Sequence, residues 1–228
     1  MYPLTKETFL LHSRLPEFKQ KVDSTLFLIK NLVEQEKCVV CYSGGKDSIV
    51  LLHLALQVDP KVLVWHWDHG SQLMPREVEE ELICNAKVLG AVNLIVRSSL
   101  AVERVDMRDR VGNWYGVYYA NKARVKSEYG WGTELVGLRA DEGVKRRLKT
   151  QVEKKGEAYP LKCWSWLDVW AYIVSRKLPY PGYYDVVATN DINSYRYSRF
   201  VTFFDKEFDK FGSTSKDGFF FPQYRHNK

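Results

Sequence analysis

Hydrophobic positions along this chain change their period several times, and each change marks an element. Phe18, Val22, Leu26, Leu28, Ile29, Leu32 and Val33 recur at helical spacing among Lys, Glu and Gln, which predicts a helical segment within residues 1–35. Cys38-Val39-Val40-Cys41-Tyr42 is a short apolar run with β-branched content and reads as a buried strand. Gly44 and Gly45 break it, and the apolar stretch that follows suits a helix from Lys46 to Val58, stopped by Asp59-Pro60. Val62 to Trp67 predicts a second strand, Glu77 to Leu89 an acidic helix between Pro75 and Gly90, Val92 to Val96 a third strand, and Thr133 to Leu138 a fourth.

Strands alternating with helices need crossover connections, so the expected fold is α/β, a doubly wound, mostly parallel sheet with helices on both faces. Residues 1–35 would form a helical extension, 36–190 the α/β domain, and 191–228 a tail packed on the domain or at a partner interface. In such sheets ligands bind outside the carboxyl ends of the strands. The loops to read for chemistry therefore follow Tyr42, Trp67 and Leu138.

Composition changes this picture little, but the distribution of charge sharpens it. The 228 residues are 45% hydrophobic and 27% charged, ordinary for a globular chain, with a formal net charge of +6. Residues 97–155 hold a surplus of basic side chains equal to the whole net charge, so the basic face is local and suits an anion. Trp114, Tyr115, Tyr118 and Tyr119 lie in the same segment, a combination that also suits nucleic acid. Four cysteines at irregular positions make no disulfide framework and point to a reducing compartment. The N-terminus shows no secretory pattern and the Ile49–Val58 run is too short to span a bilayer, so a cytoplasmic protein without a membrane partner is expected.

Ser43-Gly44-Gly45-Lys46-Asp47-Ser48 joins the first strand to a helix. Adjacent glycines let backbone N–H groups approach an oxyanion, the helix N-terminus adds partial positive charge, and Lys46, Ser43 and Ser48 supply further donors. Neither the Walker A spacing nor a G-x-G-x-x-G fingerprint is present. The segment resembles the pyrophosphate-binding S-G-G-x-D-S loop (PP-loop) of the N-type ATP pyrophosphatases and their adenine nucleotide α-hydrolase relatives. That resemblance implies ATP with Mg²⁺, cleavage between the α- and β-phosphates, and an adenylylated acceptor. Asp47 is either a metal contact or a cap of the helix.

Two more segments narrow the resemblance. Asp68-His69-Gly70 resembles the D-T-G segment of the 3′-phosphoadenosine-5′-phosphosulfate reductase family, which implies that Asp68 and Gly70 border the nucleotide. Gly137-Leu138-Arg139, with Arg146 and Arg147, resembles that family's G-L-R segment, and guanidinium groups there suit a second anionic group. Tyr159 to Ile173, then Leu178-Pro179-Tyr180 and Tyr184-Asp185, match a further block of the family, in which the stripe Trp166, Val169, Trp170 and Ile173 reads as core. Lys46, Asp47 and Arg139 are the catalytic candidates. Ser43, Gly44, Gly45, Ser48, Asp68, Gly70, Gly137, Arg146 and Arg147 join them as nucleotide-binding candidates.

The cysteines depart from the reductases of that family, which carry a nucleophilic thiol in a C-terminal E-C-G-[IL]-H segment. This chain has His226 in its tail but no cysteine after Cys163. Cys38 and Cys41 fall on opposite faces of a strand, so they are not a redox pair, and Cys84 reads as helix packing. No iron–sulfur cluster is expected. Three readings remain open: an ATP pyrophosphatase or adenylyl-transfer enzyme, a sulfonucleotide reductase using Cys163 or a partner's thiol, and a nucleotide-binding subunit in a sulfur-transfer or DNA-phosphorothioation complex. A sulfur-transfer protein partner and a homo-oligomer are further expectations.

Overall fold

A computed structural model describes residues 1–68, 70, 74–98, 110–153, 156–187, 192 and 195, with the side chains of 110–115, 153, 186 and 187 excluded. The predicted N-terminal helical segment is two helices, α1 (Pro3–His12) and α2 (Pro16–Gln35). Each carries proline in its first turn, where the missing N–H would have had no intrahelical partner, and the Pro16 ring separates them. Strand β1 (Cys38–Tyr42), α3 (Lys46–Val58), β2 (Leu63–Asp68), α4 (Arg76–Val88) and β3 (Leu94–Ser98) follow. Helix α5 (Arg110–Tyr129) leads into β4 (Thr133–Val136), a 3₁₀ turn at Ala140–Glu142, and the short α6 (Val144–Arg147). The two-residue strands β5 (Val152–Glu153) and β6 (Glu157–Ala158) precede α7 (Trp166–Ser175) and α8 (Tyr183–Val187).

The sheet has the order β3-β2-β1-β4-β6-β5. All neighbours are parallel except the β5–β6 pair at the edge. The expected doubly wound α/β fold is therefore present. Three expected strands have different bounds, β2 lying one residue later at Leu63–Asp68. β3 starts at Leu94 because Val92 is exposed and Asn93 already turns toward β2, its carbonyl accepting from the Val64 N–H at 3.1 Å. β4 ends at Val136, where the Leu138 N–H bonds back to the Val136 carbonyl at 2.8 Å and redirects the chain.

Alternation along the strands divides the core into two layers. Cys38, Val40, Tyr42, Val64 and Leu135 face one side and join the packing of α1, α2, α3, α4 and α7. Val39, Trp65, Trp67 and Ile95 face the other, against Val125 of α5 and Trp131. Cys38 and Cys41 thus lie on opposite sides of the sheet, and burial pushes their thiols up to about 11 and about 12. Cys84 does not pack: it sits on the exposed face of α4 with Glu80 and Lys87, four before and three after it in the helical period. Among the described residues no helix is long and apolar enough to cross a membrane.

The N-terminal helices share the main core. Phe9 of α1 stacks on Trp170 of α7 at 6.1 Å, and Phe18 of α2 meets Trp164 edge-on at 5.9 Å. A polar tie completes the junction. Asp168, only 1% exposed, accepts from Lys21 Nζ and pairs with His12 Nε2, each at 2.7 Å, while the Ser165 N–H and hydroxyl bond to it from the cap of α7.

Burial alone would raise the Asp168 pKa, but His12, Lys21 and Ser165 outweigh it and hold the carboxyl below its usual range. A carboxylate depressed in this way stabilises the fold above its unfolded pKa of about 3.9, and that contribution is lost as pH falls through the folded value. Asp168→Asn is therefore expected to destabilise the protein at pH 7 by about 3 kcal/mol. Urea titrations at pH 7 and at pH 3 should show the gap from wild type narrowing at the lower pH.

Candidate nucleotide site

Strand order reverses its direction of winding between β1 and β4, so their carboxyl ends open on the crevice where doubly wound sheets bind ligands. The loop after β1 occupies one side of that crevice. Gly44 takes φ +78°, a conformation that L-residues with a side chain avoid, and a Cβ there would lie 2.6–2.8 Å from Leu82 of α4. The two serines fold the loop on itself. Ser48 Oγ donates to the Gly45 carbonyl at 2.9 Å and accepts from the Ser43 N–H at 3.2 Å, while the Ser43 hydroxyl lies 3.2 Å from the same oxygen. These hydroxyls, expected as phosphate donors, here fix the turn that aims the backbone.

A residue that sequence reasoning placed with the scaffold enters the loop. The Lys46 N–H, first in α3, donates to the Tyr184 hydroxyl at 3.0 Å, so an aromatic side chain caps this helix from across the domain. Lys46 is buried, with its Nζ 5.9 Å above the Tyr184 ring centre and 3.6 Å from Asp47 Oδ2. The only sequence signal was the position of Tyr184 in the Leu178–Asp185 block.

The loop after β4 forms the other side. Gly137 lies so close to α3 that an added Cβ would sit 3.1–3.2 Å from the backbone of Asp47 and Ser48. Arg139, two residues on and 3% exposed, crosses to α3: its Nε donates to Asp47 Oδ1 at 2.5 Å, Nη1 to Asp141 Oδ1 at 2.5 Å, and Nη2 lies 3.6 Å from Glu142. This corrects two expectations. Arg139 does not present an open fork to an anion, because carboxylates surround it on three sides. Asp47 does not cap α3, whose N-cap is Gly45 without a side-chain bond. Burial would raise the Asp47 pKa, but the Lys46 and Arg139 charges hold its carboxyl below the usual range.

Arg146 is also engaged, pairing with Glu142 one turn earlier, whereas Arg147 and Lys145 are exposed. Three cations, Lys46, Arg139 and Arg146, thus meet three carboxylates, Asp47, Asp141 and Glu142. Asp47 Oδ2 is the oxygen left clear of Arg139, and with nucleotide phosphates it would suit Mg²⁺, which commonly takes one or two carboxylates plus substrate oxygens. Among the described residues no group of three or more His, Cys, Asp or Glu is gathered for a metal.

Asp68 ends β2 beside this crevice. Its Oδ1 accepts from the Gly70 N–H at 2.8 Å, and Arg76 of α4 grips both oxygens at 2.8 and 2.9 Å. Gly70 turns with φ +84°. His69 lies outside the described residues, as do the side chains of Trp114 and Tyr115 and the tail with His226; Tyr118 is half-buried and Tyr119 exposed. Cys163 is exposed, and the carbonyl of its neighbour Lys162 accepts from the Ala140 N–H at 2.9 Å, next to Arg139.

A parallel sheet with a Ser-Gly-Gly turn opening a helix at its switch point is the architecture of an α/β domain of the PP-loop type. Residues 37–199 match the phosphoadenosine phosphosulfate reductase domain, and the chain belongs to that family. It is 28% identical over 190 residues to sulfate adenylyltransferase subunit 2 of Mycolicibacterium vanbaalenii, covering 66% of this chain and 59% of the relative. Over 159 residues it is 28% identical to the phosphoadenosine 5′-phosphosulfate reductase of a Synechococcus species, covering 64% of this chain and 68% of the relative. The chain thus spans about three fifths of the length of the adenylyltransferase subunits it matches. The fold is shared with NMN synthetase from Francisella tularensis, at 13% identity and TM-score 0.53 over 71% of each chain.

Gly44→Ala is expected to cost about 1–2 kcal/mol from its positive φ, with more if Leu82 cannot yield. Urea denaturation measures that cost. Leu82→Ala in the same background should recover the steric part and leave the backbone part.

Proposed function

We propose that this protein binds ATP as its Mg²⁺ complex at the loop of Ser43 to Ser48 and transfers AMP to an oxyanion acceptor. An acceptor oxygen attacks the α-phosphorus, the bond to the α–β bridging oxygen breaks, and pyrophosphate leaves with the electron pair. The observation that carries this reading is the Ser-Gly-Gly turn at the switch point, with Gly137 pressed against the start of α3. Backbone N–H groups and a helix N-terminus directed at the leaving group stabilise charge that develops in the transition state. The site residues supply the rest: Gly44 and Gly45 the close approach, Lys46 the charge, Asp68 and Gly70 the nucleoside side, and Arg147 the acceptor side.

Charge balance supports a metal–nucleotide complex over a bare nucleotide. Three cations already answer three carboxylates, so four phosphate charges arriving alone would meet little net attraction. Asp47 would help to hold Mg²⁺, and the ion would supply charge neutralisation at the leaving group. The relatives named sulfate adenylyltransferase subunit 2 support sulfate as acceptor, a place in sulfur metabolism and a partner subunit.

A second reading, a sulfonucleotide reductase, is favoured by one observation: exposed Cys163 adjoins the segment bonded to Ala140, beside Arg139. Its thiolate would attack the sulfonate sulfur, leaving a thiosulfonate on the cysteine and releasing the nucleotide.

Incubation with ATP, Mg²⁺ and sulfate, with and without a partner subunit, separates these readings. Adenylylsulfate or AMP together with pyrophosphate is the expected result, and ADP with phosphate would overturn it. Sulfite release from a sulfonucleotide, with a mass increase on Cys163, would select the reductase. Lys46→Ala should fold as wild type but raise the ATP dissociation constant about tenfold or more, as measured by calorimetry.

A further inference from the structure

His66 and Glu79 are buried against each other, each 1% exposed, with the imidazole Nε2 facing a carboxyl oxygen, and none of the chemistry above uses them. His66 lies on β2. Its Nδ1 donates to the carbonyl of Tyr42 at 2.9 Å, and Tyr42 is the last residue of β1 before Ser43. A carbonyl only accepts, so Nδ1 carries a proton; Nε2 faces Glu79 Oε1, and a second proton must lie on that line. The other Glu79 oxygen, Oε2, is buried without a hydrogen-bond partner among the described residues. The imidazole is therefore the group that answers this carboxylate.

The helix carrying Glu79 reaches the same loop at two further points. The Tyr42 hydroxyl donates to the Leu82 carbonyl at 3.0 Å, and the Leu82 side chain fills the space beneath Gly44. Arg76, on the preceding turn, holds Asp68 at the end of β2. Helix α4 thus touches both loops, and His66 adds a second link between it and β1, this one to the Tyr42 backbone. What an imidazole supplies here is a directed donor at the carbonyl from which the loop departs.

We propose that His66, oriented by Glu79, is a positioning residue for anion binding: it fixes the Tyr42 peptide and thereby the aim of the Ser43–Ser48 amides. The inference rests on the reading of that loop as the anion site, but not on any turnover. It predicts a local effect on the loop and on phosphate-bearing ligands, with the nucleoside side untouched.

Side-chain mimicry allows the two bonds to be separated. Glutamine at 66 can reach Glu79 from the position of Nε2 but not the Tyr42 carbonyl; asparagine keeps the donor at the position of Nδ1 and loses Glu79. The full-length chain is used throughout, and wild type is compared with His66→Gln and with the double variant His66→Asn, Glu79→Gln. Hydrogen exchange of the unliganded proteins reads loop order, and calorimetry reads affinity for inorganic pyrophosphate and for adenosine.

His66→Gln is expected to speed exchange within 43–48 selectively and to weaken pyrophosphate about tenfold or more, leaving adenosine affinity unchanged. The double variant should stay near wild type in both readouts. Unchanged loop exchange and pyrophosphate affinity in His66→Gln would overturn the proposal, as would an equal loss of pyrophosphate and adenosine. Glu79→Gln keeps the imidazole but removes the charge that orients it, so it should act more weakly in the same direction. It carries the test if His66→Gln does not fold, and unchanged loop exchange in it would then overturn the proposal. Because exchange is read without nucleotide, absence of ATP turnover in wild type would defeat the functional reading alone.

Discussion

Arg139 and Asp47 meet at 2.5 Å across 92 positions of sequence, and the geometry of the crevice depends on that meeting. The two loops that frame the site leave neighbouring parallel strands, and parallel pairing alone sets only where each loop begins. The guanidinium reaching α3 sets where the second loop goes next. Removing both groups from water is costly, and the return depends on saturating the guanidinium, which Asp141 and Glu142 help to do. The consequence for function is a site that is preorganised but nearly neutral. Such a site favours a polyanion that brings its own countercharge.

From the opposite side, the loop is reached through aromatic packing. Phe9 stacks on Trp170, Trp170 meets Tyr184 edge-on at 5.1 Å, and the Tyr184 hydroxyl accepts from the first N–H of α3. Asp168 holds α1 and α2 against α7, so the N-terminal helices stand two ring contacts from the candidate site. Their burial in the main core gives them a role in positioning chemistry, although they carry no candidate residue. The same logic applies to α4, which reaches the loop through Leu82, Tyr42 and His66.

Much of this was legible in the residues themselves. Runs such as Cys38 to Tyr42 and Lys46 to Val58 are regular and followed closely by glycine or proline, so period and punctuation locate them. Ser43 to Ser48 was legible as a tight strand-to-helix turn because its glycines and hydroxyls are local in sequence. Cys84 was misread because an amphipathic pattern does not say which rim residues stay wet. The end of β4 was misread because the bond that stops it runs backward within the chain, from Leu138 to Val136. Tyr184 and His66 were passed over, one inside a hydrophobic block and one inside a strand, since nothing local distinguishes a core aromatic from one whose polar atom is aimed at a backbone group.

Local pattern by itself determined the α/β alternation, the glycine turn between β1 and α3 and the placement of Cys38 and Cys41 on opposite faces of a strand, because each follows from period, backbone freedom or alternation over a few residues. Only the tertiary structure decided the partners of the charged groups. Arg139 was read as an anion receptor from its type and neighbours, but the fold brings its Nε to Asp47 and its Nη1 to Asp141. Charge in a sequence is a capacity. Whether it is answered inside the protein or left for a ligand depends on distances between segments that only folding sets.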